Sequence, residues 1–467
     1  MTFLELNTGD TAWVLISAAL VLLMTPALAL FYGGMVRAKS VLNMMMMSVV
    51  AMGTVAVLWV LFGFSMTFGD SWHGLIGNPA QFAGLANTAD MLIGAEGHQI
   101  PLLVFVGFQA AFAIIAVALV SGAIADRMKF GAWVAFSIIW ASLVYFPAAH
   151  WVFAFDGVVA EKGGWIANSV KALDFAGGTA IHINAGMAAL VLALVVGPRM
   201  GFGTKPMRPH NLTMVMLGAG LLWFGWFGFN AGSALGANGL AGLAWVNTLA
   251  ATAAAMLSWL VVERIRDGHA TSLGAASGIV AGLVAITPAC ASVTPLGALG
   301  VGVLAGVGCA LAVGLKNRFN YDDSLDVVGV HLVGGLIGTL AVGLFAKGSL
   351  TGGAAGVFYG GGVEQLGRQA IGAAAVLVYS GVMTTLIALA IKYTIGLRAT
   401  QESESRGLDL AAHAEVGYDL TNVGYSSYRV KRTLVVPAAP ESPSVVPSMD
   451  HVAAIDELPS IDQEVKA

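Results

Sequence analysis

Two histidines lie deep inside long apolar segments of this sequence. Of nine histidines in the chain, only His182 and His331 stand well away from the ends of such segments. A neutral imidazole carries one hydrogen-bond donor and one acceptor, so two facing rings can satisfy each other and present their outer nitrogens to a polar solute. We expect such a pair to stay neutral, because two adjacent cations repel each other. The simpler alternative is a polar staple between two helices.

Two carboxylates stand immediately before the segments that carry these histidines. Asp174 opens the stretch DFAGGTAIHINAG, and Asp326 opens DVVGVHLVGG. We predict that both cap the first turn of a helix, where a carboxylate accepts hydrogen bonds from free backbone N–H groups at the positive end of the helix dipole. For Asp174 a second role stays open, which is to set the electrostatics of a nearby cation site.

Aromatic residues form a third group. The stretch LLWFGWFGFNAGSA places five aromatic rings near the end of one apolar segment, with Ser233 one turn beyond Phe229. In the stretch FQAAF, Phe108 and Phe112 are four residues apart and share one helix face. Such stripes are typical of packing or of an interfacial belt. Ring faces beside a hydroxyl would also suit a small cation.

The elements that position these residues are apolar helices. The chain has 467 residues, of which 57% are hydrophobic and 10% charged, and a water-soluble globule of this size could not bury that composition. Segments of about 20 apolar residues, the length of a membrane-spanning helix, lie at 11–33, 42–66, 101–125, 131–153, 175–197, 210–234, 242–262, 272–289, 296–315, 327–346 and 369–396. They lack the alternation of a membrane β-barrel. We therefore predict an all-α membrane protein with eleven transmembrane helices.

The distribution of basic residues predicts the orientation of these helices. The connections after the odd-numbered segments hold eleven Lys and Arg residues, and the opposite connections hold four. The positive-inside rule then places the N-terminus outside and the C-terminus in the cytoplasm. Segments one to five and six to ten would form two sets of five that run through the bilayer in opposite senses. We expect an inverted five-plus-five repeat with one extra helix.

The chain divides into three predicted parts. Residues 1–397 form the transmembrane domain, 398–424 a cytoplasmic segment, and 425–467 a Pro-, Ser- and acid-rich tail that reads as disordered. The net charge is −4, and no long basic block indicates nucleic acid. No nucleophile–base group or phosphate loop indicates an enzyme or an ATP-driven pump. We expect neither cofactor nor bound metal.

Four separated motifs resemble those of the ammonium transporter family, Amt, which is related to the Rh proteins. They are DFAGGTAIHINAG, LLWFGWFGFNAGSA, DDSLDVVGVHLVGG and GLDLAAHAEVGY, in this order. The resemblance covers residues from about 11 to 420. It implies transport of ammonium or ammonia across the cell membrane, and a homotrimer in lipid with one pore through each subunit. It also implies a regulatory role for residues 398–424, with a PII-type signalling protein as cytoplasmic partner.

The resemblance also implies roles for individual residues. By matching position, His182 and His331 resemble the histidine pair that lines the pore. Phe112 and Phe229 resemble the two stacked rings that close the outer pore.

Three more residues match the family's outer ammonium site. Ser233 resembles its hydroxyl, Phe108 lies close by, and Asp174 corresponds to the acidic residue that supports the site from behind. The sequence departs from the family at HWVFAFDGVVAEKGGW, where Phe153 takes the place of the usual vestibule tryptophan and the following loop carries an insertion. Trp151 or Trp165 are candidates to replace that ring.

Two alternatives remain open at this point. Two intramembrane histidines could ligate a haem as axial nitrogens in a redox protein. The chain could also be an ammonium sensor whose transport is incidental, because the long C-terminal segment could signal.

Overall fold

The structure is a computed structural model that describes residues 6–418, and most of these residues are helical. The main helices are α1 (Thr8–Met35), α2 (Ala38–Phe68), α3 (Leu102–Ile124), α4 (Phe130–Phe153), α5 (Gly178–Val196), α6 (Leu212–Gly232), α7 (Gly239–Asp267), α8 (Ser272–Ile286), α9 (Pro295–Phe319), α10 (Val328–Phe345) and α11 (Glu364–Thr394). A short helix, α12 (Gln401–Arg406), and a π-helical turn, Asp409–His413, follow. Residues 419–424 and the predicted tail 425–467 lie outside the described residues.

Within residues 6–418, ten helices are long and apolar enough to cross a membrane. The eighth predicted segment, 272–289, corresponds to α8, an apolar helix of 15 residues. The prediction of an α-helical membrane protein is confirmed. The eleventh crossing and the orientation stay predictions.

The connections between the main helices contain short strands and single helical turns. The loop between α2 and α3 contains two small antiparallel pairs, β1 (Ser71–Trp72) with β2 (Ile76–Gly77) and β3 (Leu92–Ile93) with β4 (Ile100–Pro101). Single 3₁₀ turns lie at Ala83–Leu85 and Val357–Tyr359, and a π-helical turn lies at Ile166–Val170 between α4 and α5.

The helices pack into one bundle around an apolar core. The most extensive contact joins α1 to α6, and α7 packs along both α8 and α9. Helix α5 lies between α10 and α11. The two helices that carry the histidines, α5 and α10, therefore cross inside the bundle, where both histidine side chains are buried.

Two glycines let α5 and α10 approach each other. A Cβ on Gly186 would lie 2.6 Å from the Cα of Leu332, which follows His331, and a Cβ on Gly335 would lie 3.1 Å from the Cβ of His182. Both distances are shorter than ordinary carbon contacts. Gly186 and Gly335 each stand four residues after a histidine, so the small residue that admits the partner helix comes one turn after the ring.

We expect Gly186→Ala to destabilise the bundle by about 1–3 kcal/mol, because the added methyl group forces α10 away from α5. Thermal unfolding of the detergent-solubilised protein measures this change. The matched control is Gly220→Ala on an exposed face of α6, where an added Cβ meets nothing within 4 Å. Equal melting temperatures of the two variants would contradict a tight α5–α10 crossing.

Candidate functional site

His182 and His331 meet at the crossing of α5 and α10. Their Nδ1 atoms are 3.3 Å apart, and the ring centroids are 5.4 Å apart at an interplanar angle of 23°. Both side chains are buried. In an N–H···N hydrogen bond one Nδ1 donates and the other accepts, so the two rings hold complementary tautomers. The buried Nε2 of His182 contacts no hydrogen-bond partner within the described part of the chain.

Each histidine lies in a π-helical turn at the start of its helix. The turn Gly178–Ile183 opens α5, and the turn Val328–Leu332 opens α10. A π-helical turn holds one more residue than an α-helical turn and often marks a functional site. Helices α5 and α10 begin at opposite ends of the bundle. Their first turns therefore bring the two histidine rings together from opposite directions.

Asp174 holds the first turn of α5. Its carboxylate accepts hydrogen bonds from the backbone N–H groups of Gly177, Gly178 and Thr179 at 2.7–2.8 Å, and from the Thr179 hydroxyl. Gly177 has φ +118°, a conformation that an L side chain rarely adopts. The predicted capping role of Asp174 therefore agrees with the geometry, eight residues before His182.

Asp323, and not Asp326, holds the first turn of α10. The Asp323 carboxylate accepts from the N–H groups of Val327 at 3.1 Å and Val328 at 2.7 Å. Asp326 instead has φ +63° and its carboxylate accepts from Lys316 Nζ. The predicted cap at Asp326 is wrong, because the chain turns between the two carboxylates. The spacing from Asp323 to its histidine is then also eight residues.

A row of buried rings continues from the histidines toward Ser233. The His182 ring stacks on Trp226 at a centroid distance of 5.4 Å, and Phe229 lies 6.2 Å from the same ring. Phe112 and Phe229 stack at 4.2 Å, and Phe108 lies 4.8 Å from Phe112. Phe108, Phe112, Phe229 and Trp226 are thus brought together with His182 into one contiguous row, which we call the ring row.

Hydrogen bonds fix the Trp226 ring beside His182. Its Nε1 donates to the hydroxyl of Thr287 at 2.8 Å, and that hydroxyl lies 3.3 Å from the amide oxygen of Asn230. The Asn230 amide in turn donates to Thr248. The sequence named Trp226 only as part of a stripe. Thr248 on α7 and Thr287, directly after α8, belong to no motif, so sequence reasoning missed this support.

Ser233 lines a cavity at the far end of the ring row. The cavity, which we call the Ser233 cavity, has a volume of about 90 Å³. The Ser233 hydroxyl donates to the carbonyl of Phe229 at 2.8 Å, which leaves its lone pairs to accept a hydrogen bond. The cavity is lined by Phe105, Gln109, Phe112, Phe153, Phe155, Val158, Phe175, Ala176, Ser233 and Leu235.

The structure separates the tryptophans from this cavity. Phe153 lines it, whereas Trp151 and Trp165 do not. The Trp151 ring packs on Tyr379 at 4.6 Å, and its Nε1 donates to the carbonyl of Leu75. Neither Trp151 nor Trp165 therefore supplies to this cavity the indole ring that is missing at Phe153. Asp174 does not line the cavity either, although the next residue, Phe175, does.

A charged cluster closes the opposite end of the bundle, near the C-terminal segment. Arg199 forms a two-pronged contact with Asp322 at 2.7 and 2.9 Å, and Arg127 donates to the Asp322 carbonyl. Burial favours the neutral acid, but the hydrogen bond from Arg199 and the charge of Arg127 hold the pKa of Asp322 below its ordinary value. Burial, together with the nearby Asp326 carboxylate, raises the pKa of Asp323 to about 6. Asp323 therefore takes up a proton at a higher pH than an ordinary aspartate does.

The histidine geometry does not fit a metal held between the two Nδ1 atoms. Two metal–imidazole bonds of about 2 Å each need about 4 Å between the nitrogens, whereas the two Nδ1 atoms are 3.3 Å apart. The pair is joined by direct contact and has no space for an iron between these atoms.

The helices and the ring row define a class of protein, a polytopic helical membrane protein with histidines at the centre of its bundle. A profile of the Ammonium Transporter Family matches residues 12–418. The ammonium transporter of Mycobacterium bovis (strain ATCC BAA-935 / AF2122/97) is 63% identical over 430 residues, which are 88% of this chain and 90% of that protein. The chain belongs to the Ammonium Transporter Family. It is a multi-pass protein of the cell membrane, as the motifs predicted.

Solved structures agree with this assignment. The protein titled Sensor Amt Protein has a TM-score of 0.79 at 30% identity, over 87% of this chain and 98% of its own. Mep2 of Saccharomyces cerevisiae has a TM-score of 0.76 at 32% identity, over 85% of this chain and 89% of its own. The family is one of transporters, and relatives as much as 63% identical are named ammonium transporter. A primary role in sensing is therefore not favoured.

Proposed function

We propose that the chain recruits ammonium in the Ser233 cavity and conducts ammonia or ammonium along the ring row past His182 and His331. The observation that carries this proposal is the unbroken row from Ser233 through the stacked Phe112–Phe229 pair to the two histidines. The row joins a polar acceptor at the surface to nitrogen acceptors in the core.

Recruitment uses the groups that line the cavity. A small cation gains from aromatic faces, because the ring quadrupole attracts positive charge, and ammonium can also donate a hydrogen bond to the Ser233 hydroxyl. Potassium has similar charge but no hydrogen to donate, so it gains less in exchange for its hydration shell. The site therefore selects ammonium over potassium by hydrogen bonding and not by size alone.

The stacked pair of Phe112 and Phe229 closes the passage below this cavity. Both rings are buried, and an apolar constriction cannot hold a bare cation cheaply. Beyond it, the histidines offer a nitrogen acceptor to a deprotonating ammonium, or a donor and an acceptor to neutral ammonia. Ring rotation at the pair opens the route, and the histidines receive the solute.

Electrical recording on the protein reconstituted in liposomes tests the proposal. We expect a current or a luminal pH change that follows ammonium and does not follow potassium at equal concentration. A current in this experiment reports a moving charge, and a pH change without current reports neutral ammonia. Equal responses to both cations would contradict the proposed site.

We further propose that α8 is the eighth of eleven crossings, with the N-terminus outside and α1–α5 related to α6–α10 by an inverted repeat. Support comes from two matched sets of residues at the α5–α10 crossing. Each set has an aspartate, a histidine eight residues later and a glycine four residues after that, namely Asp174, His182 and Gly186 in one and Asp323, His331 and Gly335 in the other. Each aspartate caps its helix and each glycine contacts the other helix.

A homotrimer with one pore in each subunit is the proposed assembly. Helices α7 and α9 expose large apolar side chains over much of their length, among them Leu257, Val261, Leu299 and Val303. These faces are suited to lipid or to a neighbouring subunit. Native mass spectrometry of the purified protein gives the number of chains.

The segment that begins at residue 398 is proposed to regulate transport from the cytoplasm. Its buried Asp409 accepts from the N–H groups of Leu42 at 3.0 Å and Asn43 at 2.7 Å, so it caps the start of α2. The buried Glu404 accepts from the Met200 N–H, in the connection after α5. The segment thus ties together the ends of two pore-domain helices.

We propose a PII-type signalling protein as the partner of this face. A cavity of about 430 Å³ opens there, and its lining includes the basic residues Arg199, Lys205 and Lys316. Such a cavity suits an inserted loop that carries acidic or carbonyl groups. Retention of a purified PII-type protein by the immobilised transporter, with and without residues 398–467, tests the partner.

We expect Asp409→Ala to release the segment from α2, because two backbone N–H groups lose their acceptor. The rate of tryptic cleavage after Arg406 in the folded protein should rise about tenfold, which corresponds to about 1.4 kcal/mol of local opening. Glu415→Ala, at an exposed carboxylate of the same segment, is the matched control and should cleave at the wild-type rate. Identical rates for both variants would contradict the docking role of Asp409.

A further inference from the structure

The loop that follows α4, residues 154–164, forms one wall of the Ser233 cavity. Phe155 and Val158 from this loop line the same cavity as Ser233 and Phe112. The loop belongs to the stretch in which the sequence departs from the family pattern, so motif matching assigns no role to either residue.

Hydrogen bonds hold both arms of the loop in place. Asp70 accepts from the N–H groups of Glu161 at 2.7 Å and Lys162 at 3.3 Å. On the other arm, the Asp156 N–H donates to the side chain of Asn168 at 3.0 Å, and the Asp156 carboxylate accepts from the N–H of Gly163 at 2.7 Å. These contacts fix the backbone on either side of Phe155 and Val158. The loop is therefore an ordered wall of the cavity, held by these hydrogen bonds.

No tryptophan lines the cavity, so phenylalanine rings, among them that of Phe155, are the aromatic faces available to a cation. Phenylalanine attracts a cation less strongly than tryptophan does, so Phe153 alone supplies a weaker ring than the family's usual residue. Phe155 adds a second ring from the solvent side, where 51% of the residue is exposed. A volume of about 90 Å³ accommodates a small cation with part of its hydration shell.

We propose that Phe155 is a specificity-determining residue of the cation site, with its ring replacing the missing indole as the outer aromatic wall. This inference rests on the proposed recruitment of ammonium in the Ser233 cavity. The ring acts on binding of the cation before the constriction, so it sets the concentration at which transport saturates and leaves the maximal rate to the steps beyond Phe112.

The test compares three variants with the wild type in liposomes, using ammonium concentration series and initial rates. Phe155→Leu keeps an apolar side chain but removes the ring, and we expect its KM to rise about two- to fivefold with an unchanged maximal rate, as for a half-exposed cation–π contact. Phe155→Tyr keeps the ring, and its KM should stay within about twofold of wild type. Phe358→Leu, at an exposed phenylalanine outside the cavity, is the matched control and should leave both parameters unchanged.

The outcomes separate this inference from the proposed function. A wild-type KM for Phe155→Leu, or an equal rise for Phe358→Leu, overturns the role of Phe155 and leaves ammonium transport intact. A loss confined to the maximal rate also overturns it, because a wall that only supports the fold would act in that way. Absence of an ammonium response in the wild-type protein overturns the proposed function itself.

Discussion

Replacing His182 and His331 together by leucine is expected to abolish selective ammonium flux. The rate should fall at least about 100-fold, to the background of empty liposomes, because the passage then offers no nitrogen acceptor beyond the stacked phenylalanines and an apolar lumen excludes a cation. Initial rates of ammonium-evoked current or of radiolabelled methylammonium uptake measure the effect. His269→Leu, at an exposed histidine in the connection after α7, is the control and should transport at the wild-type rate.

The single variants sharpen this result. Either single variant breaks the contact between the two Nδ1 atoms, but only His182→Leu also removes the ring that stacks on Trp226, so it should impair flux more than His331→Leu. Undiminished selective flux in the double variant would remove the pair from the mechanism and leave it as a polar staple between α5 and α10. Size-exclusion profiles of the purified variants show whether each of them folds.

Asp174→Ala is expected to give the second large effect. Three backbone N–H groups and one hydroxyl at the start of α5 lose their acceptor, which costs about 2–4 kcal/mol of stability. The π-helical turn that places His182 loses its anchor, so uptake should fall to less than about a tenth of wild type. Thermal unfolding in detergent and liposome uptake measure the two quantities.

Two further carboxylates provide the comparison for Asp174. Asp323→Ala should behave like Asp174→Ala, because Asp323 caps α10 in the same manner. Asp326→Ala should cost only about 0–1 kcal/mol, since it removes a partly exposed ion pair with Lys316. A larger loss for Asp326 than for Asp323 would contradict the assignment of the caps.

The helical class and the main site residues could be predicted from the sequence because their signals are local. Apolar length reveals a spanning helix, and a histidine inside such an apolar segment stands out at once. The capping role of Asp174 follows from its position before α5. These inferences need only the spacing of residues along one segment.

The remaining parts depend on how distant segments fold together. The stretch DDSLD offers several carboxylates, and only the positive φ of Asp326 and the course of the backbone select Asp323 as the cap. Trp226 is fixed by Thr287, which lies at the end of another helix, α8. The loop that carries Phe155 is held at the cavity by a hydrogen bond to Asp70, which lies about ninety residues earlier in the chain. Periodicity within one segment contains no information about such contacts.

The reciprocal glycine contacts between α5 and α10 also limit the kind of transport cycle available. With Gly186 against Leu332 and Gly335 against His182, the two backbones are wedged, and neither can slide by a helical turn without a collision. In the proposed transport, each passage would then depend on side-chain motions along the ring row instead of domain movements, which take microseconds to milliseconds. Turnover would accordingly carry a small activation enthalpy, closer to that of an open channel than to that of an alternating-access carrier.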